Sequence, residues 1–185
     1  ELGFEIYIPY NNLEKVFDVV YAKNGKSPVK LAGYHALNSL RMEKGYLHWG
    51  HDIGVEENPF EAGVGFCVNL NKKTPFLGQA ALEEKKKSGL SKRKVNFALS
   101  NNDLLIYHNE PIYFDGKIVG EISSGMYGFY LDKSLGMGYI SNNDSYSVEE
   151  MMSHQKFEIE VAETKYSAEG SINCFYDPGR EKILV

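Results

Sequence analysis

Long apolar runs are missing from this 185-residue chain. Stretches such as Gly63 to Val68 fall far short of the roughly 20 residues a bilayer helix needs, so no membrane span is expected. Cysteine is scarce as well. The two present, Cys67 and Cys174, lie far apart in apolar surroundings, which fits buried thiols in a reducing compartment better than a disulfide framework. No zinc spacing accompanies them. Excess positive charge is also lacking: 20 basic against 25 acidic residues give a formal net charge of −5. That balance repels a polyanion everywhere except at Lys85-Lys86-Lys87 and Lys92-Arg93-Lys94, so nucleic acid is not an expected partner. The first residues carry no initiator Met, basic segment or cleavage site, which argues against a signal peptide. They read as a strand already under way, and hence as part of a longer protein.

What is present is ordinary for a globular chain: 43% hydrophobic and 24% charged residues, enough to bury the core of one large or two small domains. Phe4, Ile6 and Ile8 alternate as in a strand ending at Pro9. Asn11-Asn12 then cap a helix carrying Val16, Phe17, Val20 and Tyr21, with Asn24-Gly25 as its stop. A second helix is expected from Tyr34 to about Tyr46, with Leu37, Leu40 and Tyr34 along one face and Gly45 as terminator. Phe60 to Leu70 reads as a strand interrupted by Gly63 and Gly65. A short helix follows Thr74-Pro75 and ends at Ser88-Gly89. Beyond Lys94 come short alternating runs: Val95 to Leu99, Ile112 to Phe114, Lys117 to Val119, Gly136 to Ile140 and Lys156 to Val161. With turn signals such as Asp115-Gly116 between them, they predict an antiparallel barrel or sandwich. The change of texture places a domain boundary at residues 75/76.

Several motifs invite chemistry and are better read as structure. His48, His51 and Asp52 form H-x-x-H-D, but on a loop with Trp49 and Gly50 no helix aligns the two imidazoles, so packing or hydrogen bonding is expected rather than a metal. Gly120 to Gly125 holds two serines without the G-x-S-x-G pattern and reads as a structural turn between barrel strands. Gly63-Val64-Gly65 lacks the third glycine of a dinucleotide fingerprint, so neither flavin nor nicotinamide is expected to bind this chain itself. The lysine cluster suits a solvated helix end whose charges complement the dipole, with a polyglutamate tail as the alternative partner. Glu5, close behind Gly3, is a carboxylate that a ligand could approach.

The segments Glu1-Leu2-Gly3-Phe4-Glu5, Leu40-Arg41-Met42-Glu43-Lys44-Gly45-Tyr46, Pro59 to Gly65 and Phe76 to Leu82 resemble, in order, the later half of the glycine-cleavage T-protein (aminomethyltransferase) family. Glu121 to Gly125 and Gly136 to Ile140 continue the resemblance into that family's C-terminal β domain. Tyr46 to Asp52 and the ending Phe175-Tyr176-Asp177-Pro178 are most similar to the folate-binding C-terminal region of sarcosine and dimethylglycine dehydrogenases.

The resemblance implies an α+β chain: residues 1–75 as the C-terminal part of the folate-binding domain and 76–185 as a small antiparallel β-barrel. It implies tetrahydrofolate as cofactor, with FAD in an upstream flavin domain of the parent protein, and passage of a one-carbon unit from an N-methyl amine to the folate. Glu5 matches the glutamate that grips the pterin through paired hydrogen bonds, and Tyr46 an aromatic lining the folate cavity. The family's essential aspartate lies upstream of the Glu-Leu-Gly-Phe-Glu motif, so no turnover is expected of this chain alone. Leu37 stands where many glycine-cleavage members carry an arginine. Other classes stay open: a non-catalytic module like the regulatory subunit of pyruvate dehydrogenase phosphatase, or a folate-dependent demethylase. A homodimer through a surface left uncovered is a further expectation, as is a cytoplasmic location, or the mitochondrial matrix in a eukaryote.

Overall fold

A computed structural model describes residues 4–21 and 29–184. The expected stop at Asn24-Gly25 and the motif residues Glu1, Leu2 and Gly3 lie outside them. Four helices, α1 (Leu13–Tyr21), α2 (Tyr34–Lys44), α3 (Gln79–Ser88) and α4 (Val148–His154), accompany six strands. The strands are β1 (Lys92–Leu99), β2 (Pro111–Phe114), β3 (Lys117–Gly128), β4 (Lys133–Ser141), β5 (Phe157–Val161) and β6 (Thr164–Ser171). They close into an antiparallel barrel in the order β1-β4-β3-β2-β5-β6, with β1 pairing β6 to complete the ring.

The barrel forms because alternate residues of each strand are large and apolar. Val95, Phe97 and Leu99 of β1 meet Ile112, Phe114, Ile122, Ile140, Phe157 and Ile159 in one fully buried cluster. Phe157 sits at its centre, edge-on to Phe97 at 5.4 Å and to Phe114 at 5.1 Å. A barrel this narrow needs small residues where strands crowd: a side chain at Gly138 would collide with the Glu121 carbonyl oxygen and Ile112. Helix α4 seals the barrel with buried Val148 and Met151, and a capping box starts it, Ser147 and Glu150 satisfying each other's backbone N–H.

The other face of β1 is buried too, because α2 and the loop after it lie across it. Lys94, Asn96 and Ala98 alternate with the core residues, and Ala98 joins Met42, Leu135 and Met137 in a second apolar cluster beneath α2. Helix α2 stops where expected: Gly45 adopts the left-handed conformation (φ 68°) and its N–H closes the last turn.

The structure departs from the sequence reading at several points. Residues 4–9 form no strand, since the barrel strands pair only with one another and leave the alternating Phe4, Ile6 and Ile8 without an edge. Phe60 to Leu70 is a set of turns and a 3-10 helix at Gly65–Cys67. There the Asn58 side chain accepts from the N–H groups of Phe60 and Glu61 at 3.0 and 3.1 Å, and local bonds of this kind outcompete a ladder. Gly120 to Gly125 is the interior of β3 and not a turn. Cys67 is exposed and Cys174 only partly buried, so the expectation of two buried thiols fails for Cys67; both are free. Strand β6 and helix α4 have no counterpart in the sequence reading.

Candidate functional site

The site is built on α2, and α2 is reversed relative to an ordinary surface helix. Tyr34, Leu37 and Leu40, the expected buried face, are 69%, 58% and 60% exposed, while Ser39, Met42, Glu43 and Lys44 are buried against the barrel. Polar groups are tolerable there because each has a partner. Ser39 donates to the Tyr127 carbonyl at 2.7 Å. The Glu43 carboxylate accepts from the Tyr130 and Leu131 N–H groups at 2.7 and 3.1 Å. Lys44 Nζ donates to the carbonyl and carboxylate of Asp177 at 2.8 and 3.0 Å. Burial works against the Lys44 ammonium, but the Asp177 carboxylate outweighs it and holds its pKa above the ordinary value. The Asp177 carboxyl is held low in turn: Lys44 and the N–H groups of Glu181 and Lys182 overcome the desolvation that would raise it.

Arg41 and Asp52 form a buried pair beneath the site, of which Arg41 reaches both hollows described below. Asp52, 1% exposed, accepts from Arg41 Nη1 at 2.7 Å, from its own loop through the His48 N–H at 2.8 Å, and from Ser123 Oγ at 2.6 Å. Arg41 also donates to Asn38 Oδ1 (2.6 Å), Ser124 Oγ (3.0 Å) and the Tyr46 carbonyl (3.3 Å). A β-bulge explains how two adjacent serines face the same pair. Register shifts between Ile122 and Ser124, so Ser123 is the extra residue and turns toward Asp52. The Tyr139 hydroxyl donates to the Asp52 carbonyl at 2.8 Å, and its pKa is pushed well up by burial, with Glu57, Asp52 and Glu61 adding to the effect. Beside them Lys94, 7% exposed, donates to Asn96 Oδ1 at 3.0 Å. Burial drives the Lys94 pKa down to about 8, with Asp52 resisting.

Two adjoining hollows open above this pair and share Tyr34, Asn38, Arg41 and His48. One, of about 280 Å³, is mostly apolar and is walled by Leu37, Tyr46 and Leu47. The other, of about 230 Å³, is about evenly polar and apolar and reaches His51, Tyr107, His108 and the two serines. A wider hollow of about 550 Å³ lies elsewhere, between Phe60, Asn69 and the Lys86–Lys87 end of α3. It contains neither the Arg41–Asp52 pair nor Tyr46. The lysines of that end occupy the last turn of α3, the place where they complement its dipole.

The expected site residues are thus placed but not joined. Tyr46 is half exposed in the wall of the apolar hollow. Glu5 is exposed on the leading segment, accepts from the Tyr7 hydroxyl at 2.9 Å, and does not line that hollow. The His48 and His51 rings lie 4.9 Å apart, tilted by 33°, and Asp52 is consumed by Arg41 and Ser123. Among the described residues no group of His, Cys, Asp and Glu could hold a metal, and no helix is long and apolar enough to cross a membrane. The Arg41–Asp52–Ser123–Ser124 cluster escaped sequence reading. Its signal, a carboxylate in a compact loop behind a helix arginine, becomes legible only once the bulge in β3 is known.

Comparison with known proteins gives this geometry a family. Residues 1–72 match the GCVT N-terminal domain and residues 92–177 the glycine cleavage T-protein C-terminal barrel domain. The 4-methylaminobutanoate oxidase (formaldehyde-forming) of Paenarthrobacter nicotinovorans is 36% identical, over 99% of this chain and 21% of its own length. The mitochondrial sarcosine dehydrogenase of Homo sapiens is 32% identical, over 99% of this chain and 20% of its own. The mitochondrial pyruvate dehydrogenase phosphatase regulatory subunit of Mus musculus is 33% identical, over 98% and 22%. The chain therefore spans about a fifth of the length of these relatives. The solved glycine cleavage system aminomethyltransferase T of Bartonella henselae shares the fold, with TM-score 0.72 and 22% identity, over 89% of this chain and 43% of that one. With an N-terminal-domain segment followed by the matching closed barrel, the chain belongs to the glycine cleavage T-protein (aminomethyltransferase) family.

Proposed function

We propose that this chain supplies part of a tetrahydrofolate site in a protein of the sarcosine and dimethylglycine dehydrogenase type, where a one-carbon unit from an N-methyl amine is passed to the folate. The observation that carries the reading is the apolar hollow on α2, with Tyr46 in its wall and Arg41, held by buried Asp52, at its edge. A flat, largely apolar ligand with a few polar edges suits such a hollow. The family's folate dependence and the relatives named for N-methylated substrates support it. Residues 1–75 then form the later part of the folate domain and 76–185 the barrel domain.

In this reading Glu5 holds the pterin by accepting from its amino and ring N–H groups, and Tyr46 packs against it. Tetrahydrofolate supplies the nucleophilic nitrogen that takes the one-carbon unit. FAD belongs to an upstream flavin domain of the parent protein, which is also the chief partner. A compartment such as the mitochondrial matrix is consistent with the relatives' names.

Calorimetry with folinic acid tests the proposal on this chain and on a longer one that includes the sequence preceding it. Glu5→Ala is expected to weaken binding at least about tenfold, the loss of one charge-assisted hydrogen bond pair. Unchanged affinity would sink the assignment of Glu5. A second reading, a non-catalytic regulatory module, is favoured by the similarity to the phosphatase regulatory subunit over nearly the whole chain. It becomes the better one if the folded longer chain ignores folates.

A further inference from the structure

The hollows at the end of α3 lie apart from the folate candidate and join two motifs it leaves unused, Gly63-Val64-Gly65 and the lysine cluster. One, of about 360 Å³, is lined by Phe60, Phe66, Leu90, Gly63 and Gly65, with Lys86 and Arg93 among its walls. The wider one, of about 550 Å³, shares Phe60, Gly65 and Lys86 with it and adds Lys87 and Glu83. A side chain at position 65 would come within 2.8 Å of the Phe60 ring, so glycine lets that ring lie close against the chain. Arg93 is the odd member of its strand. On one side of β1, Lys92 pairs with Glu57 at 3.0 Å and Lys94 donates to Asn96. Arg93 alternates to the other side, in line with Val95, Phe97 and Leu99. Its Nε is buried and has no acceptor, and among the described residues the Lys86 and Lys87 ammonium groups have neither an ion pair nor a hydrogen bond. Carboxylates on the same elements do not neutralise them. Glu83 gives one oxygen to Gln79 Nε2 at 3.0 Å, Glu61 accepts from the Asn58 N–H at 3.2 Å, and Glu84 lines neither hollow. In a protein of net charge −5, Lys86, Lys87 and Arg93 thus face these hollows against the single carboxylate of Glu83.

We propose that these two hollows bind a phosphorylated ligand with a flat ring, of the nucleoside monophosphate class. A phosphate monoester carries about 1.5 to 2 negative charges near neutral pH and three strong acceptor oxygens, which match the cationic excess of the walls. A lone carboxylate, with one charge, would leave that excess half met. The Arg93 guanidinium has the planar fork that grips such a group in a bidentate way, and Lys86 and Lys87 add point charges on flexible stems. The ring has its own place. Phe66 is 84% exposed and stands with Phe60 at the same hollow, and aromatic faces of this kind stack on a base whatever its identity. Volumes of about 360 and 550 Å³ lie in the range of small-ligand pockets. The site shares no residue with the apolar hollow of Tyr46, so it is independent of the folate reading.

The test uses the intact chain with its backbone amides labelled. AMP, adenosine, inorganic phosphate and a γ-linked glutamate trimer are added in turn, and the amide resonances are followed by NMR. The Gly63, Gly65 and Phe66 signals are expected to shift saturably with AMP, and adenosine is expected to bind at least about tenfold more weakly. Arg93→Met keeps the stem and removes the charge, and it should weaken AMP binding at least about tenfold, the cost of losing hydrogen bonds to a charged group. Lys86→Met, at an exposed position on which folding does not depend, should weaken it several-fold. Lys165→Met, over Tyr113 and outside both hollows, removes the same charge and should leave the affinity unchanged. Unaltered barrel amides report that each variant is folded.

Saturable AMP binding that is lost in Arg93→Met and kept in Lys165→Met supports the assignment. No saturable shift at millimolar AMP overturns it, and so does an equal loss in Lys165→Met, which would reduce the effect to general charge attraction. Inorganic phosphate binding as tightly as AMP overturns the nucleotide class, because the rings of Phe60 and Phe66 would then contribute nothing. Equal binding of the glutamate trimer overturns it in favour of a polycarboxylate. Since no probe is a folate and no variant touches the Tyr46 hollow, a failure of folinic acid to bind leaves this result intact, and the two readings fail separately.

Discussion

The barrel and the helical segment ahead of it are held by opposite means. Inside the barrel, burial is apolar and continuous: Phe97, Phe114, Phe157 and their aliphatic neighbours exclude water without a polar atom among their side chains. On the outside of the barrel, α2 and its loop are tied through Arg41 and Asp52 to Ser124 and Ser123 of β3, through Glu43 to the turn after β3 and through Lys44 to Asp177, while Lys94 on the outer face of β1 donates to Asn96. Helix α2 turns Tyr34, Leu37 and Leu40 outward instead. The hydrophobic effect therefore stabilises the barrel on its own terms, while specific hydrogen bonds fix where the helix sits on it. A residue's role in this protein follows from which side of the barrel wall it occupies.

The comparison is broken most severely at the barrel centre. Phe157→Ala removes the ring that contacts both Phe97 and Phe114, and a cavity there is expected to cost about 3–5 kcal/mol, read as a fall in the urea midpoint with unchanged slope. At the helix interface, Asp52→Ala leaves the His48 N–H without its acceptor, removes the carboxylate paired with the Arg41 guanidinium, and leaves Ser123 with the Met137 carbonyl alone. Its expected cost is similar or slightly smaller, about 3–4 kcal/mol. The two differ in what they disturb: only Asp52→Ala should shift the His48 and His51 signals while the barrel stays folded. Equal disturbance of both regions would mean that they are one cooperative polar and apolar core, contrary to the division drawn here.

Lys94 sharpens the comparison through pH. Its pKa is about 8 in the folded chain against an ordinary 10.5, because burial penalises the ammonium. Between those values the unfolded chain binds more protons, so this group makes stability rise as pH increases from about 8 toward 10.5. The full span is on the order of 3 kcal/mol. Lys94→Met keeps the stem and discards the charge, and denaturation at a series of pH values should show the rise flattened. A slope that survives the substitution would place the proton on another group.

The division also explains what could be read in advance. The barrel was legible because a strand with one large apolar face writes its period directly into the chain, as at Val95, Phe97 and Leu99, even though the alternate residues Lys94, Asn96 and Ala98 are buried as well. Helix α2 was legible in extent, from its periodicity and Gly45, but not in orientation. An apolar stripe ordinarily marks the buried face, and here the stripe of Leu37 and Leu40 faces away from the barrel. The Arg41–Asp52–Ser123 cluster was not legible at all, since its members lie 11 and 71 residues apart and meet only through the bulge in β3. Strand β6 was missed because Thr164 to Ser171 has few apolar residues: it buries Ala168 and Gly170 and leaves most of the rest at the surface. Local pattern reports burial against a regular partner, and it is silent about polar contacts made by irregular backbone.

The smallest effect expected on stability is at the outward face of α2, and there it discriminates most. Leu37→Ser and Leu40→Ser remove apolar surface that is already more than half exposed, so each should change unfolding stability by no more than about 0.5 kcal/mol. Leu37 nevertheless walls the apolar hollow, and Leu40 does not. If that hollow receives the flat body of a folate, Leu37→Ser should weaken folinic acid binding several-fold while Leu40→Ser leaves it unchanged, with calorimetry as the measure. Equal effects of the two would mean that the outward face acts as one undivided apolar surface. Such a surface suits an interface with another part of the protein or a second copy better than a ligand hollow, and it would move the functional centre of this segment off the cleft and onto the helix face.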